Sequence, residues 1–80
     1  MAKRSQQEII VDILEVVTAP CRPTPIMYRA NLSYSQLRFY LSFLLGRELI
    51  TNRDGMWVAT EKGREYLSAY GQMRKILVGE

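Results

Sequence analysis

The 80-residue sequence contains no histidine. That removes imidazole from every metal site and every Ser-His or Cys-His nucleophile arrangement. Cys21 is the only cysteine, so no intrachain disulfide can form. It lies in the loop Ala19-Pro20-Cys21-Arg22-Pro23 and reads as an incidental thiol. No run approaches the roughly 18 apolar residues that span a bilayer. No Gly-rich phosphate loop is present, and Asp12 and Glu15 stand three apart with no nucleophile or metal set beside them. Repeats and low-complexity tracts are also missing. These gaps argue against an enzyme, a membrane protein, a metal site and a cofactor. The segment Met1–Glu8 turns polar and then helical without a small-residue cleavage site. It predicts no secretory signal and a reducing, cytoplasmic location.

Apolar residues make up 48% of the chain, which excludes general disorder. The length predicts one domain over residues 1–80, with a core thin enough that a partner chain or long packed helix would help it. The net charge is +3, with eight arginines and three lysines. This leans toward an anionic partner, and arginine offers phosphates and guanine a bidentate fork that lysine does not.

Ser5-Gln6-Gln7-Glu8 has the form of a capping box. Behind it Ile9, Ile10, Ile13, Leu14, Val16 and Val17 recur at helical spacing, which predicts a helix over about 6–18. Pro20 and Pro23 end it. Thr24 then reads as an N-cap and Pro25 as the first residue of a short helix over 25–30. Ile26, Met27 and Ala30 face inward in this reading, with Tyr28 and Arg29 exposed. Asn31-Leu32 makes a turn, and Asn tolerates the left-handed conformation such turns need.

Ser33-Tyr34-Ser35-Gln36 is a second capping box. It opens a helix over about 34–47 with an apolar stripe of Leu37, Leu41, Leu44 and Leu45 and with Tyr40 at its edge. Asp54-Gly55 between Leu49–Arg53 and Met56–Thr60 signals a hairpin with a type I′ turn. Leu49, Thr51, Met56 and Val58 share one hairpin face, and Ile50, Trp57 and Ala59 the other. Both are partly apolar, so the pattern leaves open which one packs inward. Thr60 caps a last helix, over about 61–78, in which Gly63 and Gly71 each weaken the helix by about 1 kcal/mol.

The order is mainly α with a small β-hairpin: helix, tight turn, second helix, wing and long C-terminal helix. The second helix of such a unit commonly enters the DNA major groove. Its residues here suit that role. Ser35, Gln36 and Arg38 offer base-reading chemistry, since Gln can pair with adenine and Arg with guanine. The helix N-terminus capped by Ser33 can receive a phosphate. Arg29, Arg53, Lys3 and Arg4 are candidate phosphate contacts. Phe39 reads as exposed, toward a thymine methyl or a protein. On the last helix Tyr66, Tyr70, Met73 and Leu77 are spaced four, three and four, a coiled-coil rhythm of less than two heptads. That helix spans about 25 Å at 1.5 Å per residue, longer than one small core covers, which predicts a homodimer through this seam.

Asn31-Leu32-Ser33-Tyr34-Ser35-Gln36-Leu37, Tyr40-Leu41, Leu44-Leu45, Leu49-Ile50 and Thr60-Glu61-Lys62-Gly63-Arg64 resemble the archaeal winged helix-turn-helix family. This includes ArnR-type regulators and small chromatin-associated proteins of about ten kilodaltons. The resemblance covers nearly the whole chain. It implies that Ser33–Ser42 form a recognition helix and that Arg53-Asp54-Gly55-Met56 form a wing tip. It also implies double-stranded DNA as the partner, dimerisation through the last helix, a transcriptional or chromatin-like role and a nucleoid-associated location. The chain departs from the family at Phe39, where a basic or polar residue is usual, and at Glu48, where Gly is usual. Its last helix also stops soon after Leu77. The alternative is a winged-helix protein-interaction module without DNA binding, which Phe39 and the modest charge fit. No sensor segment is recognisable, so the sequence names no small-molecule ligand.

Overall fold

Both capping boxes form. In the computed structural model, which describes residues 3–78, helix α1 runs Gln6–Val16 and helix α3 runs Tyr34–Gly46. Ser5 Oγ accepts the Glu8 N–H at 3.1 Å, while Glu8 Oε1 accepts the Ser5 N–H at 2.7 Å. Ser33 and Gln36 repeat the exchange at 3.1 and 3.0 Å. Two of the unpaired donors at each helix start are satisfied this way. Helix α1 stops two residues before the sequence predicts. Val17 forms its C-cap, and Thr18 turns its hydroxyl onto the Glu15 carbonyl.

Helix α2 spans Pro23–Arg29 and so begins before Thr24, which is not its cap; Arg22 occupies that position without a side-chain hydrogen bond. Pro23 and Pro25 both fall within the first four residues, whose N–H groups have no intrahelical acceptor, so neither ring removes a bond. Ile26 and Ala30 are buried, Met27 is half-buried, and Tyr28 and Arg29 face out.

The two ends that frame the turn and the wing share one geometry. After α2, Leu32 N–H reaches Met27 O at 2.8 Å and Asn31 N–H reaches Tyr28 O at 3.2 Å. After α3, Leu49 N–H reaches Leu44 O at 2.9 Å and Glu48 N–H reaches Leu45 O at 3.0 Å. These are Schellman closures, which place one residue in the left-handed region. Asn31 (φ 56°) and Glu48 (φ 63°) fill that place.

Strands β1 (Ile50–Arg53) and β2 (Met56–Ala59) pair antiparallel, with Ile50 opposite Ala59 and Asn52 opposite Trp57. Asp54 (φ 53°) and Gly55 (φ 81°) give the expected turn. The inward face is Ile50, Trp57 and Ala59; Ile50 and Ala59 are fully buried and Trp57 packs on the core. Sequence pattern did not show that the α1–α2 loop also joins the hairpin. Cys21 pairs with Trp57 through N–H···O bonds of 2.9 and 2.7 Å, and Ala59 N–H reaches Val17 O at 2.8 Å. Cys21 is consequently buried.

Helix α4 spans Glu61–Val78. One core cluster joins Ile13, Leu14, Ile26, Leu37, Leu44 and Ile50, with Tyr66 and Leu67 of α4 against it. Leu45 departs from expectation, being 46% exposed, whereas Tyr40 is buried. With Leu44 pointing at the core, its neighbour lies about 100° further round the helix and meets solvent. Among the described residues no helix is long and apolar enough to cross a membrane.

Candidate nucleic-acid interface

Burial of Leu37, Tyr40, Leu41 and Leu44 turns the opposite face of α3 outward. That face carries Ser35, Arg38, Phe39 and Ser42, with Tyr34 beside them, all exposed. The structure thereby brings three predicted residues, Ser35, Arg38 and Phe39, onto one helical surface. Arg38 lies over the Tyr34 ring at 5.9 Å and donates weakly to its hydroxyl at 3.5 Å. That contact leaves most of the guanidinium fork unengaged.

Phe39 is 55% exposed. It meets Tyr40 edge-on at 5.1 Å and stacks on Phe43 at 6.2 Å. These contacts hold its ring on the surface rather than in the core.

Ser33 and Gln36 are exposed as expected, but their polar atoms are partly occupied. Gln36 Oε1 accepts the Ser33 N–H, and the Ser33 hydroxyl accepts the Gln36 N–H. A bidentate adenine contact needs the amide oxygen as an acceptor. In the capped state Gln36 offers its amide N–H groups and only the second lone pair of its Oε1. What the box supplies is a well-formed helix start without negative charge, because its third residue is Gln where α1 has Glu8.

The wing presents Asn52, Arg53, Asp54 and Gly55 to solvent. Asn52 Oδ1 accepts the Gly55 N–H at 3.2 Å and stiffens the turn. A residue missed by sequence reasoning joins it. The Cys21–Trp57 pairing carries Arg22 to the wing, where its Nη1 lies 3.9 Å from where a Gly55 side chain would begin. No local pattern marks Arg22, because only long-range pairing puts it there.

Other predicted contacts are placed elsewhere. Arg29 is exposed but lines a groove with Asp12, Glu15 and Val16, which groups it with α1. Arg4 is committed internally. Its Nη1 donates to Asp12 Oδ2 and to Ala30 O, and its Nη2 to Asn31 O, each at 2.7 Å. It ties α1 to the carbonyls of Ala30 and Asn31 just past α2 and so fixes the turn rather than standing ready for phosphate. Lys3 is exposed.

The predicted seam on α4 is divided. Tyr66 and Tyr70 are half-buried against the chain's own body, whereas Met73 is 42% and Leu77 77% exposed. Ile76, which extends the apolar surface, is 81% exposed.

Comparisons with known proteins fit this geometry. A family model described as winged helix-turn-helix matches residues 3–77. Two uncharacterized proteins of Methanocaldococcus jannaschii are similar in sequence. MJ0290 is 34% identical over 76 residues, covering 94% of this chain but 36% of its own length, so the chain spans little more than a third of that relative. MJ0287 is 32% identical over 76 residues, covering 94% of this chain and 78% of its own length. Among solved structures, Sso10a-2, a DNA-binding protein from Sulfolobus solfataricus, superposes with a TM-score of 0.79 at 26% identity. The match covers 95% of this chain and 84% of that one.

Proposed function

The chain belongs to the winged helix-turn-helix family, and from that premise we propose that it binds double-stranded DNA as a homodimer. The single observation that carries this reading is the outward face of α3, where Ser35, Arg38, Phe39 and Ser42 stand exposed behind an uncharged helix start. In the proposed mode that face enters the major groove. Arg38 reads guanine O6 and N7, and Phe39 packs on a thymine methyl. The α3 N-terminus faces a phosphate, with the Tyr34 and Ser35 N–H groups that the capping box leaves free and the positive end of the helix dipole behind it. Arg53 and Arg22 hold phosphates from the wing and set the register without reading sequence. Two protomers joined through the end of α4 present two such helices to two half-sites. The role is that of a transcriptional regulator or chromatin-like binder. The DNA-binding character of Sso10a-2 supports the reading.

The test is a duplex-binding titration at about 50 and 200 mM salt. With Arg22 and Arg53 of each protomer on phosphates, affinity falls about a hundredfold between those salts. The Arg38→Ala/Arg53→Ala double variant binds far more weakly and with a shallower salt slope. Gln36→Glu isolates the helix start. It keeps the box, as Glu8 does in α1, but places a carboxylate where the phosphate must sit. Duplex binding weakens about tenfold, while stability stays level or rises by a few tenths of a kcal/mol. Full retention of binding in both variants would remove α3 and the wing from the interface.

A second reading rests on the exposed aromatic rings of α3, Tyr34 (63%) and Phe39 (55%). They suit an apolar protein partner on the same surface. Binding to a protein through these rings would hardly respond to salt, so the same titration separates the two readings.

A further inference from the structure

A groove of about 320 Å³ opens between α1, the end of α3 and α4, lined by Ile10, Phe43, Arg47, Leu49, Lys62 and Tyr66. We infer that it is a binding site for a small aromatic carboxylate, separate from the DNA-facing surface and not resting on whether the chain binds DNA. Its floor is apolar, formed by buried Ile10 and Leu49 and by the half-buried rings of Phe43 and Tyr66. Its rim carries two exposed cations. The Arg47 guanidinium lies 5.0 Å from the Phe43 ring centroid, and Lys62 projects from the first turn of α4.

Charge selects the occupant. No carboxylate lines this groove, and among the described residues the one salt bridge is Arg4–Asp12, far along the chain. Neither cation therefore has a carboxylate within 4.0 Å among the described residues, and none faces the groove itself. Two other grooves show the contrast. One sets Arg29 against Asp12 and Glu15, and another sets Arg4 and Arg74 against Glu8, Asp12 and Glu15. Each has one more carboxylate than cation, so neither attracts an anion. A ligand that completes the 320 Å³ groove needs a planar apolar body for the two rings and one anionic group for Arg47 and Lys62. Pockets of this size, mostly apolar with a few placed polar groups, suit small organic ligands. Phe43 also stacks on Phe39 at 6.2 Å, so an occupant that touches Phe43 is felt on the outward face of α3.

The experiment is an NMR titration of the full chain with 2-naphthoate, with 2-naphthylmethanol as the neutral counterpart. The expected result is saturable shifts at the groove residues, extending to Phe39, with a Kd on the order of 1 mM. The alcohol binds at least about fivefold more weakly, and Arg47→Gln/Lys62→Gln weakens naphthoate about tenfold. Both substituted side chains are exposed, and an unchanged amide spectrum elsewhere verifies the fold. Equal binding of acid and alcohol, or unchanged affinity in the double variant, overturns the proposal. So does binding of a tetraglutamate peptide at the groove where naphthoate fails. Shifts there that depend on protein concentration and that naphthoate cannot displace would mean that a second copy covers the groove, and would overturn it equally.

Discussion

The first half of α4 is clamped from several directions. Thr60 Oγ1 accepts the Gly63 N–H at 3.1 Å and donates to Glu48 O at 2.6 Å. Arg64 reaches back to Ala59 O at 3.0 Å, and Tyr66 and Leu67 pack on the core. Beyond Tyr70 the same helix carries Met73, Ile76 and Leu77 into solvent. The apolar rhythm Tyr66, Tyr70, Met73, Leu77 runs through both halves unbroken. Periodicity therefore marks a helix face but not where that face stops being covered. The folded chain has a use for the first half's apolar residues and none for those of the second. Solvent-facing Ile and Leu at the end of a charged helix are expected where another molecule supplies the missing side.

The two helical glycines divide along the same line. A Cβ at Gly63 would stand well inside contact distance of the Leu49 carbonyl oxygen and 3.3 Å from Leu14 Cδ2. One of those neighbours is backbone and the other is fully buried, so neither yields cheaply. Gly63→Ala is expected to destabilise the fold by about 3 kcal/mol, equivalent to a fall in Tm of roughly 15 °C in a domain this small. Thermal unfolding followed by circular dichroism measures it. An unchanged Tm would mean that the first half of α4 is not clamped as described.

At Gly71 a Cβ meets nothing within 4 Å. Gly71→Ala there is expected to stabilise the helix by about 0.8 kcal/mol, because alanine gives up less backbone entropy. Urea unfolding at several protein concentrations sharpens the comparison. A gain at every concentration means Gly71 faces open space in solution. A loss that grows with concentration means a partner helix approaches its backbone closely.

The elements most legible in the sequence are those fixed by neighbours within four positions. Both Ser-led capping boxes, the Asn31 turn and the Asp54-Gly55 turn depend on local backbone chemistry, and each forms as read. What sequence reading missed depends on contacts across the chain. Gly63 read as a helix-weakening residue, yet the approach of the Leu49 carbonyl requires it. Cys21 read as a loop thiol, yet Trp57 recruits its backbone into the hairpin and brings Arg22 to the wing. Arg4 read as a phosphate contact, yet the Ala30 and Asn31 carbonyls of the turn after α2 claim its guanidinium. Gln36 was legible twice, as a cap and as a base reader, and its amide oxygen, already accepting the Ser33 N–H, keeps one lone pair for a second partner. In the candidate interface, exposure followed from the burial of Leu37, Leu41 and Leu44, so Ser35, Arg38 and Phe39 were readable from the opposite stripe.

The smallest effect on the fold belongs to the far end of α4 and decides what that end is for. Met73→Glu together with Ile76→Glu replaces two side chains that are 42% and 81% exposed. Neither fills the core, so the stability of an isolated chain should shift by no more than about 0.5 kcal/mol. In a dimer joined at this seam, the same two carboxylates face their symmetry mates across an apolar contact, which costs several kcal/mol. Sedimentation equilibrium on wild type and variant separates these cases. A dimer that becomes a folded monomer assigns the second half of α4 to the partner chain. A variant that keeps the wild-type mass places any association elsewhere and leaves Ile76 and Leu77 for a different molecule. Because the first half of α4 is untouched, loss of mass with unchanged unfolding cannot be mistaken for loss of fold.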